Sequence, residues 1–299
     1  MSGNLVGKGI RRLRLHLGLT QEEVSKDICN QSMLSKIEKG ETYPSANILY
    51  QLSQRLNVDM EHFFLFANIQ DVSYMKKIQS SLREAVRRKD YAEVKNIVLK
   101  EENDFKSDDS LEWRQFLLWH KGMAYYYADG NPDKAIETIK RALEIREKIK
   151  KVELFSEQEL SILNTMGVIY AELKEHKKAY EIYLTCIEEL EKRELLKDLT
   201  IYIRVLYNFS KVLTHLGEYD HSITVCKNGL DQCIKGEFLY LYGEFVYHIG
   251  YNYELQNEVH QAIKQYKQAV HIFNLQNNLK NTEFISKKIK ELSNLAESK

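Results

Sequence analysis

The chain has 299 residues, enough for about two domains, and its 43 basic side chains are balanced by 43 acidic ones, which excludes a surface coated with positive charge but permits a local basic patch. Four cysteines with no CxxC pair and no histidines at zinc-ligand spacing indicate neither a disulfide framework nor a metal site, so reduced and mostly buried thiols are expected. Only two prolines, with Leu, Ile, Lys and Glu dominating, favour long helices and an all-α fold.

The first predicted helix covers 5–17, with Leu5, Ile10, Leu13 and Leu17 close to one face and Arg11, Arg12 and Arg14 mostly turned away. Gly18 ends it. Thr20 followed by Glu23 is a capping box that opens a second helix of about two turns at Gln21. That helix runs out at Cys29-Asn30, where Asn30 is a suitable N-cap for a third helix, Gln31 to Lys39, with Leu34 and Ile37 inward and Gly40 as its stop. Two further helices, over "YPSANILYQLSQRLNV" and "DMEHFFLF", supply Ile48, Leu49, Leu52, Leu56, Phe63 and Phe64 to the core. Within residues 1–40, Lys8, Arg11, Arg12, Arg14, Lys26, Lys36 and Lys39 outnumber Glu22, Glu23, Asp27 and Glu38, so the basic bias lies at this end.

"GLTQEEV", "QSMLSKIEKG" and the trailing "YPS" before a helix resemble the Cro/C1 repressor type of DNA-binding domain over residues 5–66. The resemblance implies that the third helix enters a major groove. Carried over residue by residue, Gln21 is a phosphate anchor and Thr20 its cap. Asn30 caps the reading helix, Gln31, Ser32 and Lys36 face base edges, and Met33 and Ser35 flank them. Gln suits adenine, Lys suits guanine, and a Met side chain can touch a thymine methyl. Arg14 and Glu38 match an ion pair that ties the first helix to the third. Lys8, Arg11 and Arg12 fit either phosphate contact or a plain solvated helix face.

Beyond residue 66 the pattern becomes paired helices. Aligning 163–187 with 246–270 sets Gly167, Tyr170, Ala179, Tyr183 and Cys186 on Gly250, Tyr253, Ala262, Tyr266 and Ala269. The register is that of the tetratricopeptide repeat, in which small residues on one helix meet aromatics on the next. Weaker copies place Gly122, Tyr125, Ala135, Ile139 and Ala142, then Ser210, Leu213, Ser222, Cys226 and Gly229, in the same slots. A degenerate copy around Ser80, Ala92, Asn96 and Leu99 precedes them. Five repeats spaced more widely than the usual ~34 residues, with 279–297 as a capping helix, are expected to curl into a right-handed superhelix. Its concave wall of first helices suits an extended peptide. In this repeat type the wall positions are Trp119, His120, Met123, Tyr126, Asn164, Arg204, Tyr207, Asn208, Lys211, Tyr247, His248 and Tyr251. Asparagine grips a peptide backbone through both C=O and NH₂, and Arg or Lys takes a carboxylate.

The expected organisation is thus a DNA-binding domain at 1–66, a connecting stretch at 67–75, and a repeat domain at 76–299 for peptide binding and dimerisation. Together with "QFLLWH", "GVIYAEL" and above all "YNFSKVL", this arrangement resembles the peptide-responsive quorum-sensing regulators of Gram-positive bacteria. That group comprises Rap, NprR, PlcR and PrgX, and the resemblance is to its PlcR-like branch. It implies a homodimer on palindromic double-stranded DNA, tuned by a short signalling peptide whose backbone Asn208 holds, and acting as a transcriptional regulator, as an activator by the same analogy. At positions such as Glu244, His248 and Tyr251 the wall departs from the PlcR pattern and need not accept the same peptide. The alternative is a repeat protein that seizes a response regulator without peptide-licensed DNA binding. Catalysis is not expected, since no phosphate loop, nucleophile elbow or HExxH is present, and no cofactor is implied. With no basic-plus-apolar leader and no apolar run near the ~18 residues of a membrane span, a cytoplasmic location is expected.

Overall fold

The computed structural model describes residues 5–60, 62–63, 69–103, 111–147, 154–194 and 196–297, and every regular element among them is a helix. They form two compact units, Met1–Lys89 and Asp90–Lys299.

In the first unit, α1 (Leu5–His16) lays Val6, Ile10 and Leu13 into a core with Val24, Leu34, Ile37, Leu52, Leu56 and Phe63. Leu17 does not join them. It follows the end of α1 and is 47% exposed, because Gly18, with φ of 70°, turns the chain, and Leu19 packs against the core instead. The side chain of Leu5, and Phe64, lie outside the described residues. The capping box at α2 (Gln21–Ser25) is formed: Thr20 Oγ1 accepts from the Glu23 N–H at 3.2 Å, and Glu23 Oε2 accepts from the Thr20 N–H at 2.7 Å. The Thr20 N–H and the Thr20 hydroxyl, each donating to Glu23 Oε2 at 2.7 Å, hold the Glu23 carboxyl below its usual range. The helix is one turn shorter than the sequence suggests, since Asp27 takes a left-handed φ of 61° and breaks it. α3 (Gln31–Lys39) opens with Asn30 Oδ1 accepting from the Met33 N–H at 2.7 Å and closes on Gly40, whose φ of 79° suits glycine. Ser45 caps α4 (Ala46–Arg55). Of the expected fifth helix, 62–63 are helical and most of the rest lies outside the described residues. Then comes α5 (Ile69–Arg88), with Leu82 and Ala85 buried.

The second unit comprises α6 (Tyr91–Asn103), α7 (Leu111–Tyr127), α8 (Pro132–Glu147), α9 (Glu157–Glu172), α10 (His176–Glu191), α11 (Thr200–His215), α12 (Tyr219–Lys235), α13 (Tyr242–Leu255), α14 (Val259–Leu275) and α15 (Leu279–Glu297). Each of α7, α9, α11 and α13 packs against the helix that follows it, and that helix against the next first helix. The first helices also touch one another, α7 to α9, α9 to α11 and α11 to α13, and so build one wall of a helical-repeat superhelix. α15 covers α14 at the end, where Ile285 and Leu292 are buried.

Glycine and tyrosine interlock the helices within repeats. A Cβ at Gly167 would sit 2.7 Å from Cζ of Tyr183, and one at Gly250 would sit 2.8 Å from the Tyr266 ring. Both tyrosines, and Ala179 and Ala262 beside them, are fully buried. Each ring contributes about 2–3 kcal/mol of burial. Ala135, Ile139 and Ala142, and Ser210, Leu213, Ser222 and Cys226, also fall in the core. The degenerate first copy does not: Ser80, Ala92, Asn96 and Leu99 are exposed. The buried positions are Leu82, Val94, Val98 and Glu101, each two residues later, because the glycine–tyrosine pair that marks the register elsewhere does not recur there. All four cysteines are free; Cys186, Cys226 and Cys233 are buried and Cys29 partly so. Burial pushes the Cys186 and Cys226 thiols up to about 12 and Cys233 to about 11, which makes them poor nucleophiles.

Candidate DNA-binding face and peptide groove

On α3, Gln31, Ser32 and Lys36 are exposed, with Ser35 half-buried between them on the same side of the helix. Met33 is half-buried and packs against the core from which Leu34 and Ile37 hold the helix. Thr20 and Asn30 are exposed, but their side-chain oxygens are committed to helix caps, so their part is to set where α2 and α3 begin.

Behind this face lies a buried polar cluster. Arg14 meets Glu38 in a two-pronged pair, Nε to Oε1 at 2.6 Å and Nη2 to Oε2 at 2.9 Å, while its Nη1 donates to the Leu19 carbonyl at 2.8 Å. The pair keeps the guanidinium even more firmly protonated than usual, against the effect of its burial. Gln21 joins it: Nε2 donates to Glu38 Oε2 at 2.9 Å. Sequence reasoning assigned Gln21 to a phosphate and missed this bond. The two roles are compatible, because an amide nitrogen carries two hydrogens and one remains for a phosphate oxygen. Arg55 was also missed. From α4 it donates to the carbonyls of Glu23 at 2.8 Å and Lys26 at 2.9 Å, satisfying the end of the short α2. Beside the cluster, Lys8, Arg11, Arg12 and Lys39 line a cleft of about 530 Å³ with Leu15 and Glu38.

In the repeat unit the twelve wall positions divide in two. Trp119, Tyr126, Asn164, Arg204, Tyr207, Asn208, Lys211, Tyr247 and Tyr251 are half-buried, whereas His120, Met123 and His248 are buried and turn into the core. The reason is local. His120 Nδ1 lies 2.9 Å from the Phe116 carbonyl of its own helix and its ring packs on Phe116 and Trp119. His248 is drawn into a polar knot: Nε2 lies 2.9 Å from Thr214 Oγ1, which is 2.8 Å from Asn252 Oδ1, and Asn252 donates to Ser222 Oγ at 3.0 Å. Burial depresses His248 to about 4, so it is neutral near pH 7.

Several of the remaining wall residues already bond across repeats. Asn208 Nδ2 donates to Asn164 Oδ1 at 2.9 Å, from α11 to α9, and Trp119 Nε1 donates to Thr165 Oγ1 at 2.9 Å, from α7 to α9. Lys211 sits 4.8 Å from the centre of the Tyr207 ring, which meets Phe245 edge-on. Tyr247 stacks on Tyr266 and lies parallel to Tyr251, over which Lys288 is placed at 4.9 Å. Burial raises the phenols of Tyr207 and Tyr247, the latter to about 12, so both stay protonated as donors. The wall therefore presents amides, cations and aromatic faces, a set suited to a peptide backbone and apolar side chains. Among the described residues no group of three or more His, Cys, Asp or Glu is placed to hold a metal, and no helix is long and apolar enough to cross a membrane.

A sequence model of the RNPP family C-terminal domain matches residues 79–292, and one of the helix-turn-helix matches residues 10–63. The fold is similar to that of Bacillus thuringiensis PlcR in complex with the peptide PapR7 and DNA, with a TM-score of 0.81 and 25% identity over 94% of this chain and 98% of that one. For the apo form of the same protein the TM-score is 0.67 at 24% identity, over 96% and 99% of the two chains. An uncharacterized HTH-type transcriptional regulator of Sinorhizobium fredii, y4dJ, is 46% identical over 55 residues, 18% of this chain and 71% of that protein.

Proposed function

The chain belongs to the RNPP family, and on that premise we propose that it is a DNA-binding transcriptional regulator whose hold on a palindromic site is set by a short signalling peptide in the repeat groove. The reading assigns DNA recognition to residues 1–66, with Gln31, Ser32 and Lys36 on base edges and Gln21 on a phosphate. It assigns the peptide to the second unit, with Asn164 and Asn208 on its backbone and Arg204 and Lys211 for its carboxylate. It further makes the chain a cytoplasmic homodimer, which would offer two copies of α3 to a two-fold site, and an activator in quorum sensing.

The observation that carries it is the coexistence, in one chain, of an exposed Gln-Ser-Lys face on a capped helix and a wall of inward amides and aromatics. The similarity to PlcR, solved with a peptide and DNA, spans both parts. Physically, a peptide that replaces the Asn164–Asn208 bond ties α9 and α11 together through its own backbone, and any preference of that arrangement for one dimer geometry becomes a shift in DNA affinity.

The test is selection of the purified protein against random duplex DNA, with and without peptide extract from stationary-phase medium. Enrichment of a two-fold palindrome only with extract is expected. Equal enrichment in both arms would remove the peptide switch, and no enrichment in either would overturn DNA recognition.

A further inference from the structure

Glu244 stands in the first turn of α13, six residues before Gly250, as Arg204 stands six before Ser210 on α11. At 100° per residue it shares a side of α13 with Tyr247 and Tyr251, one turn nearer the helix start. It is therefore part of the wall, and of the wall positions named above it alone carries a carboxylate.

Its surroundings leave one oxygen of that carboxylate unmet. Oε2 is shut off from solvent and has no hydrogen-bond partner among the described residues. Burial raises the group above the usual carboxylate range, against an opposing bond from its own backbone N–H. The neighbouring side chains that feel its charge include Tyr207, Tyr240, Tyr247 and Cys233, none of them a cation. A carboxylate oxygen shut off from water and left without a donor is costly, and a protein keeps one where something else supplies the partner.

We propose that Glu244 anchors a cationic group of the signalling peptide, either a Lys or Arg side chain or its free α-amino group, and so sets the charge class of peptide that this chain accepts. A charge-assisted hydrogen bond to an oxygen already shut off from water is strong and selective, because a ligand lacking the cation leaves that oxygen unpaired. The inference rests on the reading of the wall as a peptide groove.

The experiment is a library of short synthetic peptides, random in sequence, bound to the full-length protein and to Glu244→Gln. It is run with free and with acetylated amino termini, and again with Lys and Arg replaced by norleucine. Wild-type binders are expected to lose at least tenfold in affinity on either acetylation or norleucine replacement, and which of the two does so identifies the source of the cation. Glu244→Gln should lose the same factor for those binders while its melting temperature holds or rises, since the change removes an unmet charge. Glu244→Lys should turn the preference toward acidic peptides. Binders indifferent to charge, held equally by wild type and Glu244→Gln, would overturn this inference and leave the groove standing. The absence of any binder in any arm would overturn the groove and this inference together.

Discussion

The two units present polar side chains in opposite ways. On α3 the candidate DNA contacts project into water from a nine-residue helix held from behind by Leu34, Ile37 and the Arg14–Glu38 pair. On the repeat wall most of the candidate peptide contacts are half-buried, and some are already bonded across repeats, Asn208 to Asn164 and Trp119 to Thr165. A ligand at the first has only to displace water. At the second it must exchange partners within the protein, so binding there is bound up with how repeats pack.

That contrast can be broken most forcefully at its buried charges. Arg14→Met strands Glu38 in the core and is expected to cost about 3–5 kcal/mol. Amide hydrogen exchange should show protection lost through α1–α4 and kept in α7–α14, with DNA binding abolished; uniform loss across the chain would deny the units their separate stabilities. The repeat unit has its own weak point at His248. The unfolded chain takes up a proton near pH 6.5, and the folded one refuses it until about 4. Stability is therefore complete above pH 6.5 and falls as pH drops toward 4, by about 3 kcal/mol in all. Urea midpoints of the wild type should decline more steeply over that window than those of His248→Gln; identical slopes would refute the buried neutral state.

Smaller effects sharpen the comparison. Gln31→Ala should weaken binding to the selected palindrome by about 1–3 kcal/mol and loosen preference at one base pair per half-site, without altering peptide affinity. Competition titration reads both. Asn30→Ala removes only a cap and is expected to lower stability by about 1 kcal/mol, visible as a shift in the thermal midpoint of the first unit.

What could be read from sequence follows the same division. The first unit is governed by local chemistry, so Thr20 with Glu23, Asn30 and Gly40 located α2 and α3 from a few neighbouring letters. The links from Gln21 to Glu38 and from Arg55 to α2 span 17 to 32 positions and left no local mark. Along the repeats, Gly167 with Tyr183 and Gly250 with Tyr266 fixed the register. In the first copy, where no such pair recurs, the reading slipped by two residues, to Ser80, Ala92, Asn96 and Leu99 rather than Leu82, Val94, Val98 and Glu101. The wall was legible as a face but not residue by residue. His120 and His248 share its angular range, yet partners on their own or the neighbouring helix draw them inward.

Glu38 reaches three helices through one carboxylate: its own α3, α1 through Arg14 and α2 through Gln21. It works as a hub whose spokes have no slack. A phosphate that tugs on Gln21 is felt, through a single oxygen atom, by the helix assigned to the bases and by the guanidinium that braces it. Grip on the backbone and alignment on the sequence then become one mechanical event, and a spacing that suits only one of them would earn neither.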